Sequence, residues 1–186
     1  MNKYKSIVLK LKEKGVDVDA ALSAAEIEYV EAIYGIKFPL ELRRLFSVGL
    51  PISRGFYNWR DMSESNIHWI KEVILMPVQE LTDEVREGVW CNSWGERPID
   101  TEEALRVFGG RSKEAPCLVP IFMHRYIPFI PNSKKTPVFS IMGSDIIYYG
   151  TDLVNYLEHE FGFIRREDLP KWISQYKHID FWSDLL

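Results

Sequence analysis

The stretch Leu22–Gly49 (LSAAEIEYVEAIYGIKFPLELRRLFSVG) constrains the fold more than any other part of the chain. It reads as two short helices with marked ends. Ser23 followed three residues later by Glu26 is a capping box. Each side chain answers a backbone N–H that the first helical turn leaves without an intrahelical partner. Leu22 outside the cap and Ile27 inside it are placed to close a hydrophobic staple. Ile27, Val30, Ile33 and Tyr34 recur at helical spacing and make one apolar stripe. Gly35 follows, where a left-handed stop favours a residue without a Cβ. Pro39 suits the first position of a second helix, where its missing N–H costs nothing. Leu42, Leu45 and Phe46 form the second stripe, and Gly49 is the expected end. No obvious catalytic group falls within the pair.

The rest of the chain sets that pair in a single α+β domain. At 186 residues there is room for one sizeable core. Residues 2–14 read as an amphipathic helix, with Tyr4, Ile7, Val8 and Leu11 on one side and lysines largely around them. Residues 50–61 are loop-like. A helix over 63–76 is expected to end at Pro77, because the residue before proline avoids the α region. A short helical piece follows over 78–88. Asp100 or Thr101 caps a helix TEEALRVF, which Gly109 and Gly110 are expected to stop. From Cys117 the pattern changes to strands. CLVPIF is the first, and MHRYIPFIP continues extended, limited by its prolines to an edge or a bulge. PVFSIM and DIIYYG form a hairpin about Gly143-Ser144. Thr151 caps a helix over 152–161. A last helix is expected from near Glu167, with Trp172, Ile173 and Tyr176 as its apolar positions. The tail IDFWSDLL is hydrophobic enough that it should dock on the domain.

These segments resemble the SUKH superfamily, which includes a fungal regulator of cell-wall synthesis and many bacterial immunity proteins. The resemblance rests on Leu22-Ser23-x-x-Glu26-Ile27 through Tyr34-Gly35-Ile36-Lys37-Phe38-Pro39-x-x-Leu42-x-x-Leu45-Phe46. Pro120-Ile121 and Tyr126-Ile127-Pro128-Phe129 are similar to a family strand. Pro137-Val138-Phe139-Ser140 and Ile147-Tyr148-Tyr149 are similar to the central hairpin, and Asp152-Leu153-x-x-Tyr156-Leu157 to the closing helix. It covers residues 20–162, within one domain of residues 1–186. It implies a central, mostly antiparallel sheet flanked by N-terminal and C-terminal helices. It also implies a non-enzymatic domain that binds another protein. Many bacterial members bind and block a toxin domain, often a nuclease. The chain departs from the pattern at Ser47-Val48-Gly49-Leu50, where members usually carry Asn-Gly-Gly. Its segment 51–115 is longer and richer in Trp than in compact members.

Composition and motifs bound the chemistry. A net charge of −4 argues against a nucleic-acid partner, which wants a basic face. No apolar segment approaches the roughly 20 residues of a membrane span, and no secretory signal opens the chain. The reading is cytoplasmic, with Cys91 and Cys117 as reduced thiols. His68, His124, His159 and His178 lack the spacing of a helical zinc site, there is no CxxC, and neither glycine-rich phosphate motif is present. No metal or cofactor is implied. Cys91, His124 and Asp145 could in principle supply a nucleophile, a base and an orienter for a thiol hydrolase. Three clusters are candidates for a protein-binding site: Phe56, Tyr57, Trp59, Arg60 and Asp61; Trp90, Trp94, Glu96 and Arg97; and His124, Arg125 and Tyr126. Trp, Tyr and Arg are the types enriched at binding hot spots. The competing reading is that these aromatics seal their loops onto the core. A toxin domain is one possible partner, and a scaffold or regulator unrelated to toxins is the alternative role.

Overall fold

The structure is a computed structural model and describes residues 2–171 and 173–186. Its first half runs α1 (Lys3–Glu13), β1 (Val18–Asp19), α2 (Ala24–Tyr34), α3 (Leu40–Phe46) and β2 (Leu50–Pro51). The capping box forms as spaced. Glu26 N donates to Ser23 Oγ at 3.2 Å, and Ser23 N donates to Glu26 Oε2 at 2.8 Å. Gly35 stops α2 in the left-handed region at φ 65°. Pro39 sits at the cap of α3 with extended ψ, one position before the expected place. Gly49 is not the helix stop, because α3 already ends at Ser47. A Cβ on Gly49 would lie 2.6 Å from Val18 Cγ1, so its role is to let β1 approach β2. These two strands pair antiparallel, Val18 with Pro51 and Asp19 with Leu50.

A buried carboxylate ties the turn between the two helices. Glu31 on α2 accepts from Phe38 N at 2.8 Å, from Lys37 Nζ at 2.9 Å and from Arg43 Nη2 at 2.6 Å on both oxygens. Desolvation pushes this carboxyl upward. The Phe38 amide, Lys37 and Arg43 outweigh it and hold the group below the usual glutamate value. The segment Gly35-Ile36-Lys37-Phe38-Pro39 is thus folded back on α2 by its own Phe38 amide and Lys37, with Arg43 of α3.

α4 (Glu64–Glu87) passes straight through Pro77, against the expected stop. Proline removes the N–H that would reach the carbonyl four residues back. That carbonyl belongs to Val73, and the Tyr126 hydroxyl donates to it at 3.2 Å. The sheet thus supplies the hydrogen bond that the helix lacks. Ile70, Val73, Pro77, Leu81 and Val85 form the buried stripe that holds the helix through this point. Left-handed Gly88 ends it. α5 (Thr101–Glu114), capped by Asp100, runs on through Gly109 and Gly110. Both glycines keep ordinary helical φ. The stop comes at Ala115, forced into extended backbone by Pro116.

Four strands follow, β3 (Leu118–Phe122), β4 (Arg125–Pro128), β5 (Val138–Met142) and β6 (Asp145–Gly150), all antiparallel in that spatial order. β3 is an edge strand with an irregularity between Pro120 and Phe122, as its proline requires. β4 is an inner strand, not an edge. Its Pro128 pairs only with Leu118 of β3, and β5 pairs with β4 at Arg125 and Tyr126 alone. The two-residue loop Gly143-Ser144 joins β5 to β6 as expected. Tyr126, Phe139 and Tyr148 share a cross-strand row on the α4 face. Arg125, Ser140 and Ile147 share a row on the opposite face. There α6 (Leu153–Glu160) packs on β6. Its cap is Asp152, which accepts from Val154 N and Asn155 N, and not Thr151.

The expected last helix is replaced by short 3-10 turns at Arg166–Asp168 and Ile173–Gln175. Trp172 lies outside the described residues, Ile173 is exposed, and Tyr176 stacks on Tyr148 at 4.3 Å between ring centroids. The tail docks as its composition suggests. Ile179, Phe181 and Trp182 are buried, and Trp182 Nε1 donates to Pro116 O at 2.8 Å. Each buried side chain of this size contributes about 1.5–3 kcal/mol. Among the described residues no helix is long and apolar enough to cross a membrane.

Candidate functional site

The first aromatic cluster is built into the core. Phe56, Tyr57 and Trp59 are all buried. Trp59 presents its edge-on partners Tyr34 and Phe38, with centroids at 5.3 and 4.9 Å. Phe56 packs on Phe122 and Phe161 at 4.8 and 5.8 Å. Arg60 staples the loop to the entry of α2. It reaches Asp19 at 2.6 Å, Glu26 at 3.1 Å and the carbonyls of Ala20 and Ala21. The Ala20 amide and then Arg60 hold Asp19 below its ordinary value, while the Ser23 amide and Arg60 do the same for Glu26. Asp61 accepts from Ser63 N at 2.9 Å, just before α4. None of the three rings is left free for a partner.

The second cluster is divided. Trp94 is buried among Phe108, Phe181 and Trp90. Trp90 is half-buried and donates from Nε1 to Gly95 O at 2.8 Å. Arg97 Nη2 donates to Val85 O at 3.2 Å, answering a carbonyl in the last turn of α4. Glu96 is exposed. Beside this cluster a cavity of about 260 Å³ is lined by Trp94, Arg111, Glu114, Asp180 and Phe181 among others. Cys91 lies near it. Its Sγ faces the Asp184 carbonyl and the Ser93 hydroxyl, both at 3.1 Å, and neither is a base that could take its proton.

The third cluster splits across the sheet. Tyr126 points to α4, where its hydroxyl has the structural task already described. Arg125 points to α6. Its guanidinium lies 4.1 Å over the Tyr149 ring, and its Nε is 3.6 Å from Glu160 Oε2. His159 and Tyr156 complete this half-buried polar group, of which Tyr156 is the fully buried member. Burial lowers the His159 ring and pushes the Tyr156 hydroxyl far up. His124 sits in the β3–β4 turn, half-buried, and desolvation followed by Arg125 lowers it too.

The side chains the core does not take gather elsewhere. Trp69 is 47% exposed, Met76 40%, Met123 55% and Met142 60%. A chain of contacts places Trp69, Met76 and Met123 at one end of the sheet. The Tyr57 ring lies 5.1 Å from Trp69, and the Tyr57 hydroxyl donates to Met123 O at 2.5 Å. Ile141 N donates to His124 O across the neighbouring strands, but Met142, two residues beyond Ser140, lies on the α6 face of the sheet and not with Trp69. Glu80 Oε2 and Glu84 Oε2 accept from Gly143 N and Ser144 N at 2.8 and 2.7 Å, holding the second turn against α4 one helical turn beyond Met76. Sequence reasoning missed this surface. The available signal was Trp69 itself, which falls off the stripe of Ile67, Ile70 and Ile74. Met76 and Met123 gave none, because only the fold brings the β3–β4 turn beside α4.

Among the described residues no group of three or more His, Cys, Asp or Glu side chains is arranged to hold a metal ion. No protein-family model, no curated protein and no solved structure gives a match to this chain.

Proposed function

We propose that the chain is a non-enzymatic protein-binding domain whose role is to bind and neutralise a toxin domain. The observation that carries the binding role is the exposed surface of Trp69, Met76 and Met123. Large apolar side chains gathered at one place on a surface mark interaction sites. The SUKH-like order of capped helix pair, hairpin and closing helix supports the toxin-directed reading. Neutralisation would follow from covering or distorting the toxin's active site, and acidic side chains would speed encounter with a basic partner. The test is co-expression with each toxin domain encoded beside the gene, reading cell survival, together with recovery of the complex. Rescue by this chain, and not by a surface variant at Trp69, is the expected result. An absence of any neighbouring toxin, with a specific partner of another kind recovered, assigns it instead to scaffolding or regulation. Failure to recover any specific partner, with no neutralisation, overturns the proposal.

A further inference from the structure

The two ends of α6 are held to the fold in different ways. At the first end Asp152 caps the helix, and Leu153, Tyr156 and Leu157 are buried. Tyr156 sits so close to Gly150 that a Cβ there would lie 2.5 Å from its own. At the far end the contacts are polar, apart from Phe161, whose ring packs on Phe56 and Phe122 at 5.8 and 5.6 Å. Arg125 and His159 share one aromatic ring there. The guanidinium lies 4.1 Å from the Tyr149 centroid, and the imidazole lies 5.0 Å from it. His159 Nδ1 is buried and makes no hydrogen bond with a described residue. The groups facing His159 are Glu160 on α6, Arg125 on β4, Arg166 in the turn that follows and the Tyr149 backbone on β6. His124 faces the same guanidinium from the β3–β4 turn, with Glu160 and Asp145. From α1, Lys10 pairs with Glu158 at 2.6 Å, and Lys14 reaches the Phe163 ring.

We propose that His159 is an acid-sensitive latch: protonation of its ring releases the last turn of α6, with Phe161, from the sheet, while the capped first turn stays docked. The imidazolium carries an N–H on both nitrogens. One of them falls at Nδ1, a buried position with no acceptor, and a buried donor left unpaired is costly. The new charge also meets Arg125 across the Tyr149 ring. Glu160 opposes this, but its carboxylate is shared with Arg125, whose Nε lies 3.6 Å from Oε2. Burial first, with Arg166 and Arg125, outweighs Glu160 and the Tyr149 backbone and keeps the ring below its ordinary 6.5. The closed form therefore binds the proton less tightly than the open one. Its stability is full above 6.5 and falls as the pH drops below that value.

Amide hydrogen exchange on the full chain, corrected for the intrinsic rate, reads the opening of residues 158–163 against α2 as the pH is lowered from about 7.5 to about 5. Opening of that turn should rise about threefold or more relative to α2. His159→Gln cannot take up the charge, and its profile should stay flat. His124→Gln should leave most of the rise in place. In the wild type, an NMR titration of the His159 ring should give a midpoint below 6.5. The exchange profile and the titration of the wild type decide the matter even if a variant fails to fold. A flat wild-type profile, a rise that survives His159→Gln, or one that vanishes only in His124→Gln overturns the proposal. So does a ring that titrates at or above 6.5, or a rise spread equally over α2 and α6, which is global unfolding.

Discussion

The helix pair α2–α3 and the long helix α4 solve the same problem in opposite ways. Each contains a backbone group that its own geometry would strand. In the pair, Glu31 answers the Phe38 amide seven residues away and recruits Arg43 twelve residues away. In α4, the Val73 carbonyl freed by Pro77 waits for Tyr126, 53 residues further on. The first arrangement is complete once a short segment has folded. The second exists only when the sheet is in place. A buried polar group left unpaired costs about 1–3 kcal/mol either way. The difference lies in what each helix depends on.

Removing Glu31 should break the local arrangement most severely. Glu31→Ala strands the Phe38 amide and removes charge-assisted bonds, and it should cost about 3 kcal/mol in urea unfolding. A loss below about 1 kcal/mol would show that the turn does not need its latch.

Glu41 comes next, and it shows what happens when the same helix pair relies on distant partners. It is fully buried on α3. Its Oε2 accepts from Thr136 N at 2.9 Å, and Lys3 Nζ is 3.9 Å from its other oxygen. Desolvation, opposed by the Thr136 amide and reinforced by Asp152, raises its carboxyl to about 7. Asp152 itself faces Lys135 at 3.5 Å. The folded protein therefore binds the proton more tightly than the unfolded chain does. Stability from this group is full below the unfolded value of 4.5 and falls as pH rises through about 7. Glu31 has the opposite sign: its contribution is present above its unfolded value and lost as pH falls through its lowered folded one. Glu41→Gln should gain about 2 kcal/mol at pH 8 and flatten the neutral limb of the stability–pH curve. An unchanged limb would mean that the fold does not raise the Glu41 carboxyl.

The smallest effect tests the remote bond directly. Tyr126→Phe should cost about 1.5 kcal/mol in the native background. In a Pro77→Ala background, where residue 77 can donate to Val73 itself, the same change should cost distinctly less. Equal costs in a double-mutant cycle would show that the hydroxyl and the proline are not coupled.

The same contrast explains what could be read in advance. The capping box, the Gly35 stop, the β5–β6 hairpin and the docked tail all depend on neighbours in sequence or on bulk hydrophobicity. Pro77 misled because local rules cannot see Tyr126. Gly109 and Gly110 misled because a glycine ends a helix only when it turns left-handed, and here Pro116 acts later. Trp59, Phe56 and Trp94 have the residue types of a binding site, but types do not reveal burial. The large side chains left open sit on one helix and near two hairpin turns, as far apart in sequence as residues 69 and 142.

Those two turns are not alike. Gly143 holds the positive φ of one, at 57°, and Met123 holds that of the other, at 49°. A side chain in this region costs about 1–2 kcal/mol that glycine does not incur. Met123→Gly would relax the backbone, and part of that gain would return as the greater freedom of glycine in the unfolded chain. The thioether would be lost from the open surface in the same step. Position 123 therefore sits on a stability–activity trade-off: the residue best for the fold is not the one that best furnishes the face.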